Sequence, residues 1–161
     1  MAVMGRTSTP ASRRPAPERG QSLVEFSLML VVLVTLLMGV VDLGSAFFAY
    51  LALKDASAEG AYFGSVFPQC ENSASVSGGR CGDPNNVDYR VRQSAPVGGL
   101  IDWSAATVTI NAPNDNPGEL ITVTVSYNHS LITPVVGAII GGQTFPLSAT
   151  SVAVIVTDRL P

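Results

Sequence analysis

Residues 26–41 read FSLMLVVLVTLLMGVV, sixteen positions without a charge, held between Glu25 and Asp42. Ser27 and Thr35 are the polar side chains in the run. Nothing else in the chain constrains its fold as strongly. As a helix, sixteen residues span about 24 Å, short of the roughly 30 Å of bilayer hydrocarbon. Counting from Gln21 adds five residues and gives about 32 Å, which fits. A membrane segment is therefore expected over residues 21–41, with Glu25 just inside the apolar zone. An ionisable side chain at that depth is costly and functional by default.

Helical patterning runs on past Asp42. Leu43, Phe47, Tyr50, Leu51 and Lys54 follow at helical spacing, with Ala46, Ala49, Ala52, Ala56 and Ala58 between them. No Pro occurs between Pro17 and Pro68. One helix is expected over residues 21–64, on the order of 65 Å long. Charge is placed unevenly around it. Residues 1–20 carry Arg6, Arg13, Arg14 and Arg19 against Glu18, while the whole chain is at −3. Basic residues on one flank of a span hold that flank in the cytoplasm, so the C-terminal body is expected to be exported. An acidic chain has no basic field for a phosphate backbone, which excludes nucleic acid as an expected partner. A hydrophobic fraction of 47% against 13% charged also excludes disorder of the whole chain. A secretory signal peptide is the alternative. Gly44-Ser45-Ala46 offers small residues for cleavage after Ala46, releasing a soluble binding domain.

Residues 65–161 form the second region, long enough for one modest core. Cys70 and Cys81 are its two cysteines. In an exported chain an even pair reads as a disulfide, here across the Ser/Gly/Asn-rich segment 72–79. Asp83-Pro84 reads as a helix start, with Val87, Val91 and Ala95 recurring every fourth residue, Asp88 in reach of Arg92, and Pro96 as the stop. Alternating stretches at 108–110, 121–127 and 152–156 read as strands, and APNDNPG at 112–118 as the turn of a hairpin. Residues 131–140 are a short helix or an apolar loop. Pro146 places the last strand at a sheet edge or after a kink. The expected fold class is α+β: a long N-terminal helix with a small antiparallel sheet packed on its distal half. Gly60 and Gly64 read as helix termination. His129 reads as a polar loop residue, and Asn114-Asp115-Asn116 with Glu119 as a solvated turn. No catalytic constellation, metal set or cofactor motif stands out, so a non-enzyme is expected.

The stretch Arg19-Gly20-Gln21-Ser22-Leu23-Val24-Glu25-Phe26 resembles the processing site of a type IVb prepilin: a basic leader ending in Gly, four residues, then Glu and an aromatic. With Gly39-Val40-Val41-Asp42-Leu43-Gly44, Ala46-Phe47-Phe48-Ala49-Tyr50 and Glu59-Gly60-Ala61, residues 19–64 resemble the TadE-like minor pilins (pseudopilins) of tight-adherence pilus systems. Ala58 and Tyr62 stand where that family usually has Arg. The resemblance implies a leader of residues 1–20, cut between Gly20 and Gln21 by a membrane-embedded prepilin peptidase. Gly20 has no Cβ, which opens an extended site to close approach. Glu25 and Phe26 then become assembly residues in a bacterial inner-membrane protein that meets other pilin and pseudopilin subunits. Glu25 is implied to meet the N-terminal amine of a neighbour; snorkelling to the headgroups is the other reading of its residue type.

Overall fold

The computed structural model describes residues 19–75, 79–94, 99 and 101–157. The elements run α1 (Arg19–Val66), α2 (Val87–Gln93), β1 (Thr107–Asn111), β2 (Leu120–Ser130), α3 (Pro134–Ile140) and β3 (Thr144–Val154). The chain divides into two compact units at Val34/Thr35, within α1. The fold class is α+β, as the sequence pattern implies.

In the first unit, the described side chains from Gly20 to Val34 are all exposed. Water has no use for such an apolar surface, and it matches what a bilayer accepts. Residues 20–66 are the one stretch of helix, among the described residues, long and apolar enough to cross a membrane.

In the second unit, α1 buries Asp42, Ala46, Ala49, Leu53, Ala56, Gly60 and Phe63. These positions recur at alternating steps of four and three, one face of a helix. The large residues that mark the helix in the sequence lie elsewhere: Leu43, Phe47, Tyr50 and Leu51 are exposed. Apart from Leu53 and Phe63, the core face is built mostly of small residues, and at Gly60 and Gly64 β-branched side chains of α2 and β2 come close. Gly60 and Gly64 do not end the helix, which continues to Val66. A Cβ on Gly60 would stand 2.5 Å from Val91 Cγ2, and one on Gly64 2.4 Å from Ile121 Cδ1. Both are therefore packing positions, one turn apart on the face that meets α2 and β2. Pro68 disfavours helical backbone in the residue before it and sets the end.

The sheet is antiparallel in the order β1-β2-β3. The hairpin predicted at 112–118 pairs Asn111 with Thr122 and Thr107 with Ser126. Ile121, Val123 and Val125 alternate inward and are buried. β3 is an edge strand that starts at Thr144, so Pro146 sits opposite Asn128 in the ladder, where an edge tolerates a residue without an N–H. The run 152–156 is apolar at every position, so alternation does not assign its faces; β3 ends at Val154, and pairing decides them. Ala153 opposes Ile121 and Ile155 is buried, while Val152, Val154 and Val156 are exposed. Residues 134–140 are helix, closed by Gly141 at φ 83°, a left-handed cap that glycine adopts without strain.

The disulfide Cys70–Cys81 is formed, with Cα atoms 5.1 Å apart. Its loop is tied to the start of α2: the N–H of Val87 donates to the Cys70 carbonyl at 2.9 Å. That helix starts later than Asp83-Pro84 suggests. Its cap is Asn86, whose side-chain oxygen accepts the Tyr89 N–H at 2.7 Å while its amide donates to the Cys81 carbonyl and the Asp83 carboxylate. Asn86 has the extended backbone a cap needs, whereas Asp83-Pro84 is a cis bond within the preceding turn. Val87 and Val91 face the core, and Asp88 pairs with Arg92 at 2.9 Å. Ala95, Pro96 and the leader residues 1–18 lie outside the described residues. Replacing both cysteines by Ser is expected to destabilise this unit by about 2–3 kcal/mol, from the entropy of the opened loop. Urea unfolding of the double variant beside the native chain measures it.

Candidate functional site

Two places in α1 carry polar groups where an apolar surface is the rule. The first is the helix start. Arg19 is its first residue, so the Gly20–Gln21 bond lies in the first turn rather than in an extended segment. Leading N–H groups of a helix have no intrahelical partners, so opening this turn for a protease costs little. Among the described residues, nothing lies within 4 Å of a Cβ built on Gly20. One turn on, the Gln21 side-chain amide donates to Glu25 Oε1 at 3.1 Å. Glu25 is thus oriented by Gln21, and Phe26 beside it is exposed. The structure brings Gly20, Gln21, Glu25 and Phe26 together within two turns.

The second place is a buried polar cluster beside the end of the apolar run. The Asp42 carboxylate, 2% exposed, accepts the Ile132 N–H on Oδ1 and the Thr133 N–H on Oδ2, each at 2.9 Å. Thr133 is the residue before α3, and its own side chain makes no capping bond. Asp42 therefore holds the β2–α3 junction against α1. Three residues on, Ser45 Oγ lies 3.1 Å from His129 Nε2 and donates its proton to the Asp42 carbonyl at 2.8 Å. A hydroxyl has one proton, so while it is given to the Asp42 carbonyl the hydroxyl accepts from His129, in the tautomer whose Nε2 carries the hydrogen. That is the reverse of what a histidine base does to a serine nucleophile. Among the described residues, the buried His129 Nδ1 has no hydrogen-bond partner. His129, 5% exposed, is a member of β2 and not a loop residue; its ring meets the Phe145 ring edge-on at 5.7 Å.

In the sequence Asp42 stands as the limit of the apolar run and within the stretch that resembles the TadE-like pilins, with no site role attached. A signal was present: Asp42 lies four, seven and eleven residues before Ala46, Ala49 and Leu53, on the small-residue face. Cys70 and Cys81 belong to the far end of the unit's core and to neither polar place. Among the described residues, no group of three His, Cys, Asp or Glu side chains is placed to hold a metal ion. Elsewhere, the hydroxyl and N–H of Ser104 hold the Asp102 carboxyl below its ordinary range, and burial, with Asp115 adding to it, pushes Glu71 up.

These features define a chain with, among the described residues, one candidate membrane helix that bears an acid five residues after a glycine and runs on into a small antiparallel α+β unit. Residues 20–61 match the family model described as TadE-like protein, so over that segment the chain is similar to that family. The matched residues hold Gly20, Gln21, Glu25, Phe26 and Asp42 and stop before the disulfide and the sheet. No curated protein and no solved structure matches the chain.

Proposed function

We propose that the protein is a minor pilin or pseudopilin of a tight-adherence type IVb pilus, a structural subunit rather than an enzyme. In this reading it is processed by a prepilin peptidase between Gly20 and Gln21. It sits in the bacterial inner membrane with its N-terminus cytoplasmic and its α+β unit exported, and it helps assemble or initiate the pilus with other subunits. The observation that carries the reading is the match of residues 20–61 to the TadE-like family, which covers the helix start with its Gly20–Gln21–Glu25–Phe26 group. The bare apolar surface of residues 20–34 supports a role in lipid and among neighbouring helices. Release after Ala46 is disfavoured by the structure's own economy. Ala46 lies in mid-helix, and a cut there removes Asp42 and Ser45 from the polar cluster.

Processing is read from intact mass. The mature chain is expected to begin at Gln21, and Gly20→Leu is expected to accumulate at precursor length. A mature start at Phe47, or normal maturation of Gly20→Leu beside an active prepilin peptidase, would overturn the assigned site.

The role of Glu25 is tested separately. Cleavage frees an amine with a reference pKa of about 7.7–8.0, which is a cation in need of a counter-charge inside hydrocarbon. Glu25→Gln removes that counter-charge. It also eases insertion, since an acid at a span's centre costs about 2.5–3.5 kcal/mol on insertion scales. An anchoring role therefore predicts no loss, and a pairing role predicts loss. Expected is normal cleavage with several-fold weaker co-purification of other pilus subunits. Equal cleavage with equal co-purification sinks the pairing role.

A further inference from the structure

We propose that α3, with Ile132 before it, is a membrane-contact element that dips into the bilayer surface beside the span. The proposal rests on the reading of residues 21–41 as a membrane segment. Three observations carry it. The first is depth. A Cβ on Gly39, in the last turn of the apolar run, would stand 3.8 Å from Val136 Cγ2, so α3 lies level with the end of that run. The carboxylate bonds from Asp42 to the Ile132 and Thr133 N–H groups fix the same level one residue earlier in the chain. Whatever depth Gly39 to Asp42 takes, α3 shares.

The second observation is composition. Residues 130–157 contain no charged side chain, and α3 reads PVVGAII. Its large side chains point away from the protein: Ile139 is 79% and Ile132 68% exposed, and Val135 and Ile140 are exposed as well. Only Gly137 of the helix is buried. A seven-residue helix with this surface is poorly suited to water. It is suited to the interface, where apolar side chains bury about 5–10 Å into the headgroup and acyl boundary.

The third observation is continuity. Asp42 ends the charge-free run in the sequence but does not interrupt the apolar surface, because its carboxylate is turned inward onto backbone N–H groups. Leu43, on the next residue, is exposed. Between α1 and α3 lies a cavity of about 550 Å³, lined by Leu43, Leu131, Val136, Ile140 and Phe145 among others. Its apolar walls fit the upper part of an acyl chain. The occupant that fits this surface is therefore bilayer lipid.

The test uses the full chain in phosphatidylethanolamine/phosphatidylglycerol vesicles containing lipids brominated in the acyl chain, which quench a nearby indole. The native Trp103 is changed to Phe, and Trp is introduced singly as Ile139→Trp, Leu33→Trp or Val152→Trp, all exposed positions. If the Trp103→Phe chain loses its helical circular dichroism, the same comparison is made as a difference with Trp103 kept. Expected is strong quenching of Leu33→Trp, about twofold quenching of Ile139→Trp, as suits an interfacial depth, and none of Val152→Trp on the outer face of the sheet. If Leu33→Trp is quenched while Ile139→Trp matches Val152→Trp, α3 stays in water and the proposal fails with the span intact. If Leu33→Trp is not quenched, the span reading fails and the proposal falls with it. If Ile139→Trp ignores bromolipid but shifts on adding another pilus subunit, α3 is a protein contact and the proposal is overturned.

Discussion

Gly60→Ala is expected to destabilise the detergent-solubilised protein by about 2 kcal/mol, although alanine is the better helix former. Two effects oppose each other. Alanine in a helix interior is favoured over glycine by about 0.8–1.0 kcal/mol. Overpacking a well-filled core costs about 1–3 kcal/mol. The new methyl would stand 2.5 Å from Val91 Cγ2, 3.2 Å from Val123 Cγ1 and 3.3 Å from Val87 Cγ1. All three neighbours are valines, stiff at χ1, so none turns aside cheaply. The cost therefore falls at the upper end of its range and outweighs the helix gain. Gly64→Ala is expected to lose less, since its closest neighbour is the end methyl of Ile121. Gly44→Ala meets nothing within 4 Å and is expected to gain stability, by under about 1 kcal/mol. Chemical unfolding of the three variants orders them as Gly60, Gly64, Gly44. Equal effects at all three would mean that α1 does not pack this closely on α2 and β2.

Asp42→Ala is expected to lower the melting temperature by on the order of 10 °C, more than a typical single contact shifts a domain of this size. The carboxylate satisfies two backbone N–H groups with two separate oxygens. Alanine leaves both donors unpaired, and an unsatisfied buried donor costs more than a hydrogen bond contributes when made. Asp42→Asn is not conservative here. Its amide supplies one acceptor and turns an NH2 toward the second donor, so it is expected to recover no more than about half of the loss. Hydrogen exchange gives the local reading: the Ile132 and Thr133 amides are expected to exchange much faster in both variants. Unchanged exchange at those two amides would show that Asp42 does not hold the junction.

Much of the fold is legible in the chain because its signals are local. The helix from residue 21 onward follows from an apolar run, an unbroken periodicity and the absence of proline, and α1 spans Arg19–Val66. The strand at 121–127 and its hairpin follow from alternation and turn chemistry, and Ile121, Val123 and Val125 do alternate inward. The pair Cys70–Cys81 needs only the count of cysteines and an oxidising compartment. The helix-start group Gly20, Gln21, Glu25 and Phe26 is legible for the same reason, since one helical turn joins residues four apart.

The rest required the partner surfaces. Periodicity announces a helix whichever side is buried, and the eye takes the large residues as the core side. Here Leu43, Phe47, Tyr50 and Leu51 face outward while Ala46, Ala49, Ala56 and Gly60 face inward. How closely a sheet of valines and isoleucines approaches decides which size fits between, and that distance is not a property of α1. In the same way an all-apolar run at 152–156 has no preferred face until its register with β2 turns Ala153 inward and leaves Val152 and Val154 outside. Asp42 and His129 lie 87 positions apart in the sequence, and each alone looks like a solvated residue. The sequence by itself determined the segments that can bury themselves or cross a membrane, because that depends on neighbours along the chain. Only the tertiary structure decided which glycines are packing sites and which charged group is sealed inside, because those depend on atoms that folding alone brings within a few ångströms.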